Sequence, residues 1–122
     1  MRVMIVEDQT MIRSLLESYF RAEDGYRITA SLPGAKQAVE VCRTNSVDLI
    51  LMDVQMPVMD GYEATRAIRA SVHPDANSIP ILAMTANAFD EDRRNALECG
   101  MNGFLSKPIV IADLVQEMRK VL

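Results

Sequence analysis

Residues 47–61 read VDLILMDVQMPVMDG, and this stretch decides the fold. Val47, Leu49, Ile50, Leu51 and Met52 form a short apolar run of the kind shown by a strand buried on both faces. The run ends on a carboxylate, Asp53. A charge inside a parallel sheet costs too much to keep, so Asp53 is expected at the C-terminal end of the strand. There it faces the crevice where open α/β sheets bind ligands. Met56-Pro57 and Asp60-Gly61 follow with loop chemistry: a fixed φ at Pro57 and a residue free to take φ > 0 at Gly61.

The same pattern of strand and polar end recurs outward from this stretch. Arg2 to Val6 is a second apolar run, ending on Glu7 and Asp8. Thr10 is the expected N-cap of a helix whose stripe is Met11, Ile12, Leu15, Leu16, Tyr19 and Phe20, and Glu23-Asp24-Gly25 ends it. Tyr26 to Ser31 alternates like an edge strand. Ala35 to Arg43 carries Ala35, Ala38, Val39 and Cys42 on one helical face. Tyr62 to Ala70 reads as a helix, and Ser71 to Ser78 as a polar loop holding His73 and Pro74. Ile79 to Met84 is a fourth strand, and Asn87 to Glu98 a helix stopped by Gly100. Asn102 to Ser106 is a short fifth strand. Ile109 to Leu122 closes as a helix with Ile111, Leu114, Val115, Met118 and Val121 inward. Strands alternating with helices imply a doubly wound parallel sheet with right-handed crossovers, an α/β fold over one domain, 1–122.

Bulk composition narrows the function classes. Thirteen Lys and Arg against 17 Asp and Glu give a net charge of −4, and no basic stripe that would wrap nucleic acid. No apolar run reaches the ~18 residues that span a bilayer, and no leader precedes the first strand. Cys42 and Cys99 lack metal spacing and read as free thiols, which points to the cytoplasm. His73 sits beside a proline in a polar loop and reads as solvated. The nine methionines read mostly as core filling; Met56 and Met59 are expected beside the crevice, as candidates to rim a partner-binding surface.

Parallel strands share one C-terminal edge. Glu7 and Asp8 after the first strand, Asp53 after the third, Thr85 after the fourth and Lys107 after the fifth therefore project together. Each alone has an ordinary structural role, as helix dressing, cap or solvated lysine; together they form a constellation. Two carboxylates ~4 Å apart repel by on the order of 4 kcal/mol at an effective dielectric near 20. A hard cation among them relieves this, and Mg²⁺ suits one or two carboxylates plus phosphate oxygens. Asp53 would then be a nucleophile toward a phosphoryl group, Lys107 a second positive charge and Thr85 a hydroxyl donor to a phosphoryl oxygen.

These residues carry a resemblance. Val6-Glu7-Asp8, Leu51-Met52-Asp53 with Met56-Pro57 and Asp60-Gly61, Thr85-Ala86, and Leu105-Ser106-Lys107-Pro108 resemble the receiver domain of bacterial two-component response regulators, over essentially the whole chain. The resemblance implies a flavodoxin-like strand order, 2-1-3-4-5. It implies that Asp53 accepts a phosphoryl group from the phosphohistidine of a histidine kinase or phosphotransfer protein. It further implies that Asp8, Asp53 and the backbone carbonyl of Gln55 ligate Mg²⁺, with Glu7 acting through water. Phe104 stands at the family's aromatic switch position with Thr85 as its partner; lacking the hydroxyl of the commoner Tyr, it must signal by packing. The Lys107-Pro108 bond is expected cis. Output is expected through the fourth helix, fifth strand and fifth helix, toward an output domain or a second copy. The resemblance also implies a signalling switch that assists its own phosphorylation and dephosphorylation rather than a multiple-turnover enzyme.

Three rival functions fit these residues less well. An aspartyl-phosphate hydrolase resembles Asp-x-Asp, but Gln55 stands where its second acid belongs. A flavin carrier of the same fold would find Glu7-Asp8-Gln9 repelling its phosphate. A phosphorylation-independent module sits poorly with intact acids, Thr85 and Lys107. Gln55 and Asn87 flank the site where family members tune hydrolysis, and neither can take a proton from water.

Overall fold

The computed structural model describes residues 1–56, 58–71, 77–86 and 90–122, with backbone only at Asp90. Pro57, His73, Pro74 and Asn87 lie outside the described residues. The chain runs β1 (Arg2–Val6), α1 (Thr10–Ala22), β2 (Arg27–Leu32), α2 (Ala35–Thr44), β3 (Leu49–Asp53), α3 (Gly61–Arg69), β4 (Ile81–Thr85), α4 (Asp90–Cys99), β5 (Gly103–Ser106) and α5 (Ile111–Val121). The five strands form one sheet in the order β2-β1-β3-β4-β5, and every pairing is parallel. This is the doubly wound, flavodoxin-like order expected from the resemblance.

Strand periodicity explains the layers. Successive side chains point to opposite faces, so alternate residues of the central strands enter two different cores. Met4, Val6, Ile50, Met52, Ile81 and Ala83 pack with Ala38 and Cys42 of α2, Ala64 and Ile68 of α3, and Ala96 and Cys99 of α4. Val3, Ile5, Leu49, Leu51, Leu82 and Met84 pack with Leu16 and Phe20 of α1 and Leu114 and Met118 of α5. β3 is buried along its whole length, as its unbroken apolar run requires. Both cysteines are free and buried.

Several local expectations need correction. Gln9, not Thr10, is the N-cap of α1, and its side chain makes no capping bond. The α1 stripe is narrower than its apolar residues suggest: Leu16 and Phe20 are buried, whereas Met11 is 86% exposed and Leu15 42% exposed. Met56 is buried in the core shared with α2, α3 and α4, which leaves it little surface to offer a partner. Gly61 does not use its freedom to take a positive φ; among the described residues that conformation falls to Val58 (φ 72°), Gly25 and Gly100.

Gly61 is required for another reason. A Cβ there would collide with the carbonyl oxygen of Asp53 and stand 2.9 Å from Val54 Cα. The start of α3 is thus pressed against the end of β3. Asp60 makes a full capping box with Glu63, accepting from its backbone N–H at 2.8 Å, so α3 begins at Gly61 rather than Tyr62. Gly100 ends α4 with φ 107°, as its position predicts. Its carbonyl accepts from Arg69 Nη2 at 2.7 Å, a tie between α3 and the β5 approach that no motif announces.

Candidate functional site

Four strand ends build the site. β1 stops at Val6, and the next N–H, of Glu7, donates to the Leu32 carbonyl at 2.9 Å, which keeps Glu7 against the sheet. Its side chain is fully buried. The turn then folds on itself: Gln9 N–H donates to Glu7 Oε2 at 3.1 Å, and Arg13 Nη1 donates to the Glu7 carbonyl at 2.8 Å. Asp8 is left exposed at the crest of the turn. Asp53 closes β3 and is 1% exposed; Gln55 N–H donates to its Oδ1 at 3.1 Å. Buried Thr85 closes β4, and its carbonyl accepts from Lys107 N–H at 2.8 Å, which fixes where the β5 end lies. The Lys107-Pro108 peptide is cis.

One oxygen each from Glu7, Asp8 and Asp53 lies within 4.8 Å of the others. Lys107 Nζ sits 2.7 Å from Glu7 Oε1 and 3.3 Å from Asp53 Oδ1. Asp53 Oδ2 is buried and has no hydrogen-bond partner. Burial pushes the Asp53 carboxyl up to about 8, and the close Glu7 carboxylate adds to it; the Gln55 N–H and the Lys107 charge pull the other way. Burial works against the Lys107 ammonium, but Glu7 and Asp53 outweigh it and raise its pKa.

The donor set fits a hard cation. It is all oxygen, it concentrates negative charge beyond what one lysine balances, and it holds a buried carboxylate oxygen with no hydrogen bond. The cofactor for which these residues are suited is Mg²⁺.

The structure brings Glu7, Asp8, Asp53, Gln55, Thr85 and Lys107 to one edge of the sheet, as their positions after the strands lead one to expect. Phe104 lies one strand over, half-buried on β5, with the Arg93 guanidinium 4.5 Å from its ring centroid. Two residues went unnoticed in the sequence. Arg13 reads there as one more charge on the polar side of α1, and Arg93 as a solvated charge on α4; each gains its contact only from tertiary placement.

Among proteins of known sequence, the chain is 38% identical over 120 residues to the sensor protein GacS of Pseudomonas syringae pv. syringae, a match covering 98% of this chain but only 13% of that protein. Among solved structures it resembles the receiver domain of the sensor histidine kinase PA1611 from Pseudomonas aeruginosa PAO1, at 40% identity and a TM-score of 0.84, covering 98% of this chain and 96% of that one. That structure holds a magnesium ion coordinated in its active-site cleft. The chemotaxis protein CheY4 of Vibrio cholerae superposes with a TM-score of 0.86 at 28% identity, covering 99% and 98% of the two chains. Residues 3–119 match the response regulator receiver domain family, from the first buried strand residue to the last turn of α5, with the acidic pocket inside the match, and the chain belongs to that family.

Proposed function

We propose that residues 1–122 act as one receiver unit in which Asp53 accepts a phosphoryl group from the phosphohistidine of a histidine kinase or phosphotransfer protein. The P–N bond to the donor's ring breaks as a P–O bond forms to the Asp53 carboxylate; the ring nitrogen keeps the electron pair, and the donor leaves as neutral imidazole, retaining the proton already on its other nitrogen. The observation that carries this reading is Asp53 itself: buried at a strand end, flanked by two acids and a lysine, with one oxygen free of hydrogen bonds.

Asp8, Asp53 and the Gln55 backbone carbonyl would hold Mg²⁺, with Glu7 acting through water. When bound, the ion neutralises charge developing on the transferring phosphoryl group. Lys107 leaves its resting contact with Glu7 to pair with the phosphoryl oxygens, and the Thr85 hydroxyl donates to them. The same groups assist hydrolysis of the acyl phosphate without making the chain a multiple-turnover enzyme. Phe104 responds to Thr85 by repacking, which alters the α4-β5-α5 surface toward an output domain or a second copy.

No helix of the described residues is long and apolar enough to cross a membrane. A cytoplasmic place fits that fact and the two free thiols. The function needs no contact with nucleic acid.

Intact mass after treatment with acetyl phosphate and Mg²⁺ tests the assignment. One phosphoryl adduct is expected in the wild type and none in Asp53→Asn. An adduct undiminished in that variant would remove Asp53 from the role.

A further inference from the structure

We infer that Arg13 is a positioning residue for the acidic pocket, setting the place of Asp8 through the backbone carbonyl of Glu7. The inference rests on the reading that Glu7, Asp8 and Asp53 hold Mg²⁺.

Asp8 lies in a turn of three residues between the end of β1 and the start of α1. Its side chain is exposed, so packing does not hold it; the turn backbone must. The carbonyl of Glu7 and the nitrogen and Cα of Asp8 belong to one planar peptide unit. Whatever fixes that oxygen fixes the atom from which the Asp8 carboxylate hangs. Arg13 Nη1 donates to it at 2.8 Å, reaching back from α1.

Arg13 is itself held. Its side chain is 20% exposed and its Nε lies 4.0 Å from Glu17 Oε1, one helical turn on. That same carboxylate oxygen accepts from Ser31 Oγ on β2 at 3.0 Å, and Arg21 stands 3.7 Å from the other. A chain of contacts therefore runs from Ser31 through Glu17 and Arg13 to the Glu7 carbonyl. It ties the turn to both α1 and the edge strand.

Charge and position give opposite signs here, which makes the inference decidable. A guanidinium near three carboxylates repels a cation. If Arg13 acted only by its charge, Arg13→Ala would tighten Mg²⁺ binding. If it acts by holding the peptide unit, the same change weakens binding. Removing partners that orient metal ligands typically costs about 10–100-fold in affinity, and about tenfold is expected for this contact.

The test is calorimetric titration with Mg²⁺ of the whole chain at fixed ionic strength, for wild type, Arg13→Ala, Arg13→Lys and Asp8→Ala. Melting in EDTA is measured alongside. Arg13→Ala is expected to raise the Kd for Mg²⁺ about tenfold, while Arg13→Lys, which keeps a donor and the charge, falls between it and the wild type. Acetyl phosphate labelling of Arg13→Ala should be slow at low Mg²⁺ and return to the wild-type rate at saturation. A merely structural role would lower the EDTA melting point and leave the Kd of the folded protein unchanged. Unchanged or tighter binding in Arg13→Ala, with a normal wild type and a defective Asp8→Ala, overturns the role of Arg13 alone. A wild type that does not bind Mg²⁺, or an Asp8→Ala that binds as well as the wild type, overturns the site reading and this inference with it.

Discussion

The ammonium of Lys107 lies 2.7 Å from the carboxylate of Glu7, nearer than its 3.3 Å to Asp53. In the resting protein the lysine is thus first of all the counter-ion of Glu7, with Asp53 beside it, not a spare charge awaiting phosphate. Lys107→Ala leaves those acids facing one another. Breaking a buried ion pair costs about 3–5 kcal/mol, but protonation of Asp53 relieves part of that, so a loss of about 2 kcal/mol is expected in EDTA. Saturating Mg²⁺ should restore more stability to Lys107→Ala than it adds to the wild type. Urea melts with and without Mg²⁺ measure both quantities, and an equal Mg²⁺ increment in the two proteins would contradict the lysine's role as resting counter-ion.

The elevated Asp53 carboxyl gives a pH dependence of definite sign. Its folded pKa, about 8, lies above the ordinary carboxylate value of roughly 4. Between those values the native state binds more protons than the unfolded chain, so stability falls as pH rises from about 4 to about 8 and is flat beyond. Metal-free protein should therefore melt higher at pH 6 than at pH 8.5, and Asp53→Asn should remove most of that slope. Mg²⁺ needs the ionised carboxylate, so its binding should release protons below pH 8, visible as a dependence of binding heat on buffer ionisation enthalpy. A wild-type pH slope retained in Asp53→Asn would place the titration elsewhere.

The layout of the fold was legible because strand and helix periods differ and because the polar strand ends are short-range signals. Asp53, Glu7, Asp8, Thr85 and Lys107 each follow an apolar run directly, so topology alone gathers them. What the sequence hid was geometry at the scale of single atoms. Met11 and Leu15 match a helical stripe, yet α1 meets the sheet over a narrower arc through Leu16 and Phe20. Gly61 stood out as a residue free to take positive φ, while its actual constraint is the Asp53 carbonyl against its missing Cβ. Nothing in a linear pattern states which backbone atoms will meet. Arg13 and Arg93 were invisible for the same reason.

Val58 carries a positive φ of 72° and is 92% exposed. A β-branched residue there is strained by about 1–3 kcal/mol, and its exposed side chain has little burial to offset that. Val58→Asn, with a side chain suited to the left-handed region, should stabilise the chain by about 1 kcal/mol and raise Tm by about 4 °C. Val58→Gly should gain less, since glycine loses more entropy on folding. Thermal melts decide this, and a lower Tm in Val58→Asn would show that the valine side chain contributes packing.

Gly61→Ala is expected to act in the opposite direction. The added methyl meets backbone atoms of Asp53 and Val54, which cannot swing aside as a flexible side chain can. Overpacking of this kind costs about 1–3 kcal/mol, and any relief must come by moving the end of β3 or the start of α3. Because Asp53 stands at that junction, the Mg²⁺ Kd should rise together with the loss of stability. Gly25→Ala is the control. Its Cβ meets nothing within 4 Å, although its φ of 91° is strained, so it should lower stability while leaving the Kd in place.

Arg93 and Phe104 offer the last test, of the switch. A phosphoryl group can shift a conformational equilibrium only by interacting differently with its two states. In the proposed switch, Thr85 would be drawn toward the phosphoryl oxygens and open space for the Phe104 ring, and Lys107 would supply the charge that favours this state. In the resting protein the half-buried ring has the Arg93 guanidinium 4.5 Å from its centroid. An exposed contact of this type is worth about 0.5–1 kcal/mol, all of it lost when the ring moves inward. Arg93→Ala should therefore raise the inward population about two- to fivefold without any phosphoryl group. Amide shifts of Phe104 and its neighbours, recorded free and with beryllofluoride, report the position along the line between the two states. Free Arg93→Ala should lie partway along it, and Lys107→Ala with beryllofluoride should fall short of the wild-type end point. If free Arg93→Ala coincides with the free wild type, the cation over the ring does not hold the resting state. If Lys107→Ala reaches the full wild-type shift, the switch runs through Thr85 alone.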